Sequence, residues 1–290
     1  DLQFLNNPKR MYTFSLLSGL SFNTLQDDLR VILGRIPPEA ERAGALKQVF
    51  SFLDYTTLEG SDNPGKIKAL CEKALSFGDK GLPLPAAVCI YPPFIALAKE
   101  ILKGTPVRVA TTAAAFPHGQ MPLRVKLEEI RYAVNEGADE IDVVISRGTF
   151  LEKEYATIFR ELDTMRDTVK DRTLKVILET GELATPENIA MASEIAMEAG
   201  ADFIKTSTGK ISPAATEESV YVMLMAIREY YRQTGKKVGI KPAGGISDPQ
   251  KALNYYWLVK EVLGEQWLNP TLFRIGASRL ADQIISNLSQ

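Results

Sequence analysis

From residue 48 onward, the sequence alternates short apolar runs with amphipathic stretches of helical periodicity. Most of the apolar runs are nearly continuous, which is typical of parallel strands that are covered on both faces. Eight such runs occur within about 240 residues, and we predict strands at residues 48–56, 86–92, 107–114, 140–146, 174–180, 202–208, 237–244 and 272–278. Eight strand–helix units in this length predict an α/β chain folded as a (β/α)₈ TIM barrel.

Helix signals occupy the intervals between these strands. Thr185, Pro186 and Gly200 are suited to the cap, the first residue and the end of one helix. Residues 127–138 and 218–235 show further helical patterns. A doubly wound sheet usually has fewer strands and a GxGxxG turn after the first one, and this sequence has no such turn there.

The domain organisation is predicted to be simple. We expect residues 1–47 to form a helical extension that packs on the barrel and covers its bottom, with the clearest helix at residues 24–36. Residues 48–290 would form the TIM barrel, and no linker or low-complexity tract divides the chain. The sequence therefore predicts a single domain overall.

Composition excludes several classes of protein. With a net charge of −2, the chain has no global field to attract nucleic acid or an acidic membrane. No apolar run approaches the ~20 residues of a membrane span, and we see no secretory signal, so we expect a cytoplasmic protein. One histidine and two cysteines in unlike contexts indicate neither a metal site nor a disulfide framework.

Two lysines lie inside apolar strand-like runs, Lys205 in ADFIKTSTGK and Lys241 in VGIKPAGG. Burying an ammonium is costly because it loses hydration, so a lysine at such a place needs a reason. Alternation of side chains along a strand places both lysines inside the barrel, together with Asp142 of EIDVVIS. Strands six and seven are neighbours, so the two lysines should lie close together near the carboxyl ends, where barrel active sites lie.

This arrangement suits a nucleophilic lysine. A second ammonium at ~6 Å and an effective dielectric of ~20 costs roughly 3 kcal/mol, or about two pKa units, and burial adds to the shift. The resulting neutral amine can form a Schiff base with a carbonyl compound. The alternative is a buried structural ion pair, in which Asp142 neutralises one lysine and one positive charge is left over.

Glycines and small residues follow strands six, seven and eight. Such residues let backbone N–H groups approach an anion, and barrel phosphate sites commonly use the loops after strands seven and eight. The candidate phosphate-binding residues are Gly209, Lys210, Gly244, Gly245, Gly276, Ser278 and Arg279.

Over nearly all of residues 48–286, the chain resembles the class I deoxyribose-phosphate aldolases. The resemblance is carried by LDYTTL, AAVCIYP, EIDVVIS, KVILETGEL, GADFIKTSTGK, KPAGGIS and FRIGAS. It implies a (β/α)₈ barrel that cleaves 2-deoxy-D-ribose 5-phosphate to acetaldehyde and D-glyceraldehyde 3-phosphate in deoxyribonucleoside catabolism. It also implies that no metal or other cofactor is needed, that the partners are a sugar phosphate and aldehydes, and that a homodimer forms.

The resemblance also assigns roles to residues. Lys205 would be the Schiff-base lysine, Lys241 would lower its pKa and join proton transfer, and Asp142 would serve as the proton relay. The residues implied to lie near the substrate are Asp54, Thr56, Cys89 and Thr206. For Cys89, a small buried hydrophobic residue without a catalytic role is an equally good interpretation.

Two departures from the family pattern concern residues near the predicted site. Many members have two small hydroxyl residues after FRxGA, whereas here Arg279 follows Ser278. Arg279 either begins a helix in solvent or reinforces phosphate binding. Some members carry NFPHG where this chain has Ala115, and His118 of that loop is predicted to be structural.

Two other functions stay open from the sequence. One is a Schiff-base aldolase that acts on another phosphorylated sugar. The other is a non-catalytic barrel that binds sugar phosphates, although such a sensor would not need Asp142, Lys205 and Lys241 together.

Overall fold

The computed structural model describes residues 20–35 and 37–288. In this part of the chain, eight parallel strands form one sheet in the order β7-β6-β5-β4-β3-β2-β1-β8. Helices alternate with the strands, so the predicted (β/α)₈ barrel is confirmed. The strands are β1 (Leu53–Thr56), β2 (Ala87–Ile90), β3 (Arg108–Ala113), β4 (Glu140–Val144), β5 (Thr173–Ile177), β6 (Phe203–Lys205), β7 (Gly239–Lys241) and β8 (Ile275–Ala277).

The helices surround the sheet and cover its outer face. The first six are α1 (Leu25–Leu33), α2 (Glu39–Ser51), α3 (Pro64–Asp79), α4 (Ile95–Ile101), α5 (Leu123–Asn135) and α6 (Arg147–Leu151). The next six are α7 (Tyr155–Val169), α8 (Thr180–Leu183), α9 (Pro186–Glu198), α10 (Glu217–Thr234), α11 (Pro249–Leu263) and α12 (Leu280–Leu288). Within the described residues, 3-10 turns occupy Pro92–Phe94 and Glu265–Trp267.

The barrel closes between the seventh and eighth strands. Isolated bridges pair Ile240 with Phe273 and Ala243 with Gly276, both in parallel. The N–H of Gly276 donates to the carbonyl of Pro242 at 2.9 Å, which continues this seam toward the carboxyl ends. β1 therefore has β2 on one side and β8 on the other.

Helix α9 forms as its sequence signals predict. The Thr185 side chain accepts a hydrogen bond from the N–H of Asn188, and Pro186 is the first helical residue. The helix ends before Gly200, whose φ of +93° is open to glycine at little cost. This cap geometry is decided by neighbours in sequence, which is why the chain alone predicts it.

The predicted first strand begins too early. Residues 48–51 belong to α2, and β1 starts at Leu53. In α2 the buried residues are Ala45, Leu46, Val49 and Phe50, which is the spacing of one helix face. A short apolar run fits a strand and a buried helix equally well, so the pattern misplaced this boundary.

The extension at residues 1–47 is only partly covered by the described residues, and its first 19 residues lie outside them. Helix α1 packs mainly against α10 and α11, with Tyr221 donating to Asp28 at 3.2 Å and Arg35 pairing with Glu261 at 2.9 Å. This places α1 on the outer helical layer rather than beneath the strands, where the sequence had placed it. The boundary predicted at residue 48 falls inside α2.

Among the residues that the structure describes, no helix is both long enough and apolar enough to cross a lipid bilayer.

Candidate active site

Lys205 and Lys241 are the last residues of neighbouring strands β6 and β7, and the register pairs them directly. Lys205 is 3% exposed and Lys241 is fully buried. Both ammonium groups donate to the same oxygen of Asp142, with Nζ–Oδ2 distances of 2.9 Å for Lys205 and 2.7 Å for Lys241. The predicted placement of these three side chains inside the barrel is therefore confirmed.

The structure adds three charged residues that the sequence analysis missed. Lys175, on β5, lies 2.9 Å from Asp142 Oδ1 and 2.6 Å from Glu140 Oε2. The guanidinium of Arg274 bonds both oxygens of Glu140, at 2.7 and 3.0 Å. All three side chains are at most 3% exposed. Lys175 interrupts the apolar run LKVILET as Lys205 interrupts its own run, so the same rule would have found it.

Asp54 completes this buried network. Its carboxylate pairs with Lys241 and accepts a hydrogen bond from Arg274 at 2.6 Å. We refer to Asp54, Glu140, Asp142, Lys175, Lys205, Lys241 and Arg274 as the ion network. It holds four cations and three carboxylates, so one positive charge remains. This surplus agrees with the sequence-based count, which used only Asp142, Lys205 and Lys241.

The pKa values of Lys205 and Lys241 are shifted in opposite directions. Burial lowers the pKa of Lys205, and the charge of Lys241 lowers it further, while Asp142 opposes the shift. Burial acts on Lys241 in the same sense, but Asp142 and Asp54 outweigh it and raise its pKa above the usual range. Lys241 therefore stays an ammonium, and Lys205 is the lysine that can lose its proton.

The carboxylates of the ion network stay ionised although they are buried. Burial disfavours the charge of Asp142, but Lys175, Lys205 and Lys241 together hold its pKa well below the ordinary range. Asp54 behaves alike, with Lys241, Arg274 and Lys175 outweighing its burial and lowering its pKa. The network is therefore a fixed arrangement of charges around Lys205 at neutral pH.

A cavity of about 350 Å³ opens at the carboxyl ends of the strands. Lys205 and Thr56 line it, and so do all seven residues that the sequence analysis named as a phosphate site. Asp142 and Lys241 do not line it and lie behind Lys205. One amine of the ion network thus faces the same space as the glycine-rich loops.

Close packing of backbones shapes the wall of this cavity. Gly244 has a φ of +87°, and a Cβ there would lie 3.0 Å from Gly209 Cα and 2.7 Å from Ala214 Cβ. A Cβ on Gly276 would lie 2.9 Å from that of Ala243. Glycine at these positions lets the loops after β6, β7 and β8 converge, and the small residues there let an anion approach the backbone closely.

Two cations border the cavity. Lys210 Nζ pairs with Glu59 at 3.2 Å, and its side chain is 28% exposed. Arg279 is exposed and directly precedes α12, so it stands at the helix end that favours negative charge. Ser278 is exposed next to it. These groups add positive potential to the loop that already presents the glycines.

Three of the four residues predicted to contact the substrate do not line the cavity. The Thr206 hydroxyl is fully buried and joins the loops after β6 and β7, since it accepts from the Ala243 N–H at 3.0 Å. Cys89 is fully buried between apolar neighbours and the charges of the ion network, and burial raises the pKa of its thiol. Asp54 also lies within the ion network rather than at the cavity wall. Of this group, only Thr56 faces the cavity.

A second buried polar group supports the loop after β6. Glu179 accepts hydrogen bonds from the N–H and hydroxyl of Thr208, at 3.1 and 2.5 Å, and from Arg147 at 2.8 Å. Glu179 is fully buried and has a φ of +58°, a backbone conformation that residues other than glycine rarely adopt. Arg147 also binds the carbonyl of His118 at 3.3 Å, which gives that loop a structural contact.

Comparison with known proteins agrees with this geometry. The model of the DeoC/LacD family aldolases matches residues 49–255. The deoxyribose-phosphate aldolase of Homo sapiens is 47% identical over 262 residues, covering 86% of this chain and 82% of the relative, and that of Mus musculus is 45% identical with the same coverage. A solved structure described as QR15, an aldolase, superposes with a TM-score of 0.66 at 28% identity, covering 83% of this chain and 96% of that one.

The chain belongs to the DeoC/LacD aldolase family.

The sequence left two interpretations of the buried lysines, a structural ion pair and a reactive amine. A structural ion pair alone accounts for a buried lysine, but not for one that opens into a cavity beside convergent glycine loops. The geometry of this DeoC/LacD aldolase therefore favours a reactive amine at Lys205.

Proposed function

We propose that this chain is a deoxyribose-phosphate aldolase that reversibly cleaves 2-deoxy-D-ribose 5-phosphate to acetaldehyde and D-glyceraldehyde 3-phosphate. The observation that carries the proposal is the position of Lys205, whose amine has a lowered pKa and faces the same cavity as the glycine loops. Relatives named for this activity, at 45–47% identity, support the choice of substrate.

Lys205 acts as the nucleophile. Its neutral amine attacks C1 of the open-chain sugar, and loss of water from the carbinolamine leaves an iminium on Nζ. Asp142 Oδ2, 2.9 Å from this nitrogen, is the carboxylate placed to pass the ammonium proton on without keeping it, and to pair with the iminium charge. The positive charge of Lys241 on the same oxygen favours the neutral amine before the attack.

The iminium makes the carbon–carbon bond breakable. C2 is next to the imine carbon and C3 carries the hydroxyl, so the C2–C3 bond is the one that breaks. Its electron pair forms the enamine and neutralises the iminium nitrogen, while the C3 hydroxyl loses its proton as glyceraldehyde 3-phosphate departs. Protonation of C2 and hydrolysis of the new iminium release acetaldehyde. Asp142 serves as the proton relay because C2 lies only two bonds from Nζ.

The phosphate is held away from the breaking bond. Gly244, Gly245 and Gly276 present backbone at the cavity wall, and Lys210 and Arg279 supply positive charge. Contacts so far from the reacting carbons position the substrate for attack by Lys205. Removing them is expected to affect binding of the phosphorylated sugar more than the chemistry of the imine.

The structure favours an electrostatic role for Lys241. Its two carboxylate partners stabilise the ammonium, so it holds charge rather than exchanging protons with the substrate. We further place the enzyme in deoxyribonucleoside catabolism in the cytoplasm, working without a metal or another cofactor.

The test is reductive trapping of the imine. Wild-type protein is incubated with acetaldehyde, reduced with borohydride and digested, and the added mass is located by peptide mass spectrometry. We expect the adduct on Lys205. The variant Lys210→Gln is the matched control, because it removes a cation from the cavity but leaves the amine, and it should trap acetaldehyde as well as the wild type does.

Two results would contradict the proposal. Folded protein without any adduct indicates a barrel that only binds sugar phosphates, and an adduct on Lys241 alone reverses the roles of the two lysines. A screen of donor aldehydes and ketones separates this activity from an aldolase for another sugar, because release of acetaldehyde marks deoxyribose phosphate.

A further inference from the structure

A second cavity, of about 400 Å³, lies at the opposite mouth of the barrel. It opens at the amino ends of the strands, since the first residues of β3, β5 and β6 line it. The turn between α7 and β5 forms another part of the wall. Nothing in the proposed aldol chemistry uses this cavity, because Lys205 faces the other mouth.

The lining of this cavity is strongly positive. It contains two carboxylates, Asp171 and Asp202. The five cations are Arg108, Arg166, Lys170, Arg172 and Arg274. We call these five residues the basic mouth. A recess lined mostly by one sign of charge focuses the field and raises the local concentration of opposite charge.

Some of these cations are already committed to protein partners. Arg166 pairs with Asp202 at 2.8 Å and binds the carbonyls of Lys170 and Arg172. Arg108 lies 3.6 Å from Glu140, and its side chain is 49% exposed. Arg166 thus fixes the turn that presents Lys170 and Arg172 to the cavity.

The positive charges of Lys170 and Arg172 are not neutralised by close carboxylates. In the part of the chain that the structure describes, Lys170 has no carboxylate within ion-pair distance. The Nε of Arg172 is buried without a hydrogen bond, and its nearest carboxylate is Asp171 at 3.7 Å. The Arg172 side chain is 36% exposed, so the outer part of its guanidinium can donate to a ligand in the cavity.

We propose that the basic mouth is a second anion-binding site, which takes a small phosphate group as inorganic phosphate or as the phosphate of a small metabolite. Guanidinium groups match the geometry of phosphate oxygens, and Arg172 and Lys170 are the side chains free to donate. The cavity has room for a phosphate with a small organic substituent. The ligand is distinct from the substrate at Lys205, because the two cavities share no lining residue.

Arg274 connects this site to the catalytic lysine. It lines the cavity and also bonds Asp54, which pairs with Lys241. Lys241 in turn shares Asp142 with Lys205. An anion at the basic mouth competes with Asp54 for Arg274 and adds negative potential to the ion network. Bound phosphate should therefore favour the protonated form of Lys205 and slow imine formation near neutral pH.

Binding is tested by calorimetric titration with inorganic phosphate and, separately, with a nucleoside 5′-monophosphate. The variants are the double substitution Lys170→Gln with Arg172→Gln, and Lys210→Gln as the matched control at the other mouth. We expect the double variant to lose one of two phosphate sites, with affinity there reduced about tenfold or more. Lys210→Gln should weaken only the other site.

The outcomes of this titration are distinct. Wild-type stoichiometry and affinity in the folded double variant would overturn the proposal, because phosphate then binds only beside Lys210. Binding of the nucleotide but not of inorganic phosphate to the basic mouth would identify an organic phosphate as its ligand. Both substituted residues lie outside the catalytic cavity, so turnover without added phosphate should match the wild type.

The coupling through Arg274 rests on the proposed function and has its own readout. With acetaldehyde as the trapped carbonyl compound, phosphate should move the pH dependence of imine formation to higher pH in wild type and in Lys210→Gln. The movement should be clearly smaller in the double variant, where phosphate binds only beside Lys210; a movement as large as in wild type would also refute the coupling. An unmoved profile under saturating phosphate would refute the coupling and leave the binding result standing.

Discussion

Replacing Lys241 with methionine tests whether a neighbouring charge tunes Lys205. The substitution keeps the volume of the buried side chain and removes its ammonium. The Nζ atoms of the two lysines share Asp142 Oδ2, at 2.9 and 2.7 Å, so they are less than about 6 Å apart. At an effective dielectric of ~20, repulsion over this distance is roughly 3 kcal/mol, or about two pKa units.

The direction of the expected pH shift follows from the protonation state in which the amine reacts. Lys205 attacks when neutral, so its activity rises as pH increases through its pKa. Without Lys241 that pKa rises, because burial remains but the repelling charge is gone. We therefore expect the rising limb of the pH profile to move about two units to higher pH, with imine formation near neutral pH about 100-fold slower.

The assay is the initial rate of borohydride trapping with acetaldehyde as a function of pH, which does not involve the phosphate contacts. Lys175→Met is the matched comparison, because it removes another buried ammonium that binds Asp142, on the other oxygen. Its shift should be smaller. Thermal unfolding of each variant checks the fold. A slower Lys241→Met enzyme whose limb stays at the wild-type pH would refute the electrostatic reasoning.

Three further predictions concern the cavity wall and the ion network. Lys210→Gln should raise KM for the phosphorylated sugar about tenfold with little change in kcat, since it loses one charge-assisted contact; an unchanged KM would remove Lys210 from the site. Arg279→Ser should raise KM severalfold, and wild-type kinetics would show that Arg279 only begins α12. Glu179→Gln should lower the free energy of unfolding by about 1–3 kcal/mol, because Glu179 binds Thr208 and Arg147. Denaturant unfolding measures this change, and an unfolding midpoint equal to that of the wild type would contradict it.

Much of the active site was predictable because its signals are local. Lys205 and Lys241 stand out as charges inside apolar strands, and alternation along each strand places them in the barrel. The glycine loops follow strands that sequence order makes neighbours. All seven predicted anion residues line one cavity for this reason.

Other residues predicted near the substrate lie deeper than the cavity wall. The Thr206 hydroxyl bonds Ala243 across two strand ends. Cys89 and Asp54 are enclosed by the barrel interior, close to Lys205 and Lys241. How deep a side chain lies in the barrel depends on the stagger between neighbouring strands, and the sequence of one strand does not reveal that stagger.

The chain order of strands, helices and glycine turns determines the barrel and the end at which Lys205, the proposed nucleophile, lies, because each signal needs only neighbours in sequence. Only the tertiary structure decided how the rest of the ion network joins Asp142, Lys205 and Lys241. Arg274 meets Asp54 and Glu140 only when β8 closes against β1, and residues more than a hundred positions apart then share their charges. The pKa of Lys205 is a property of that closed interior, since burial and the surrounding charges set it together.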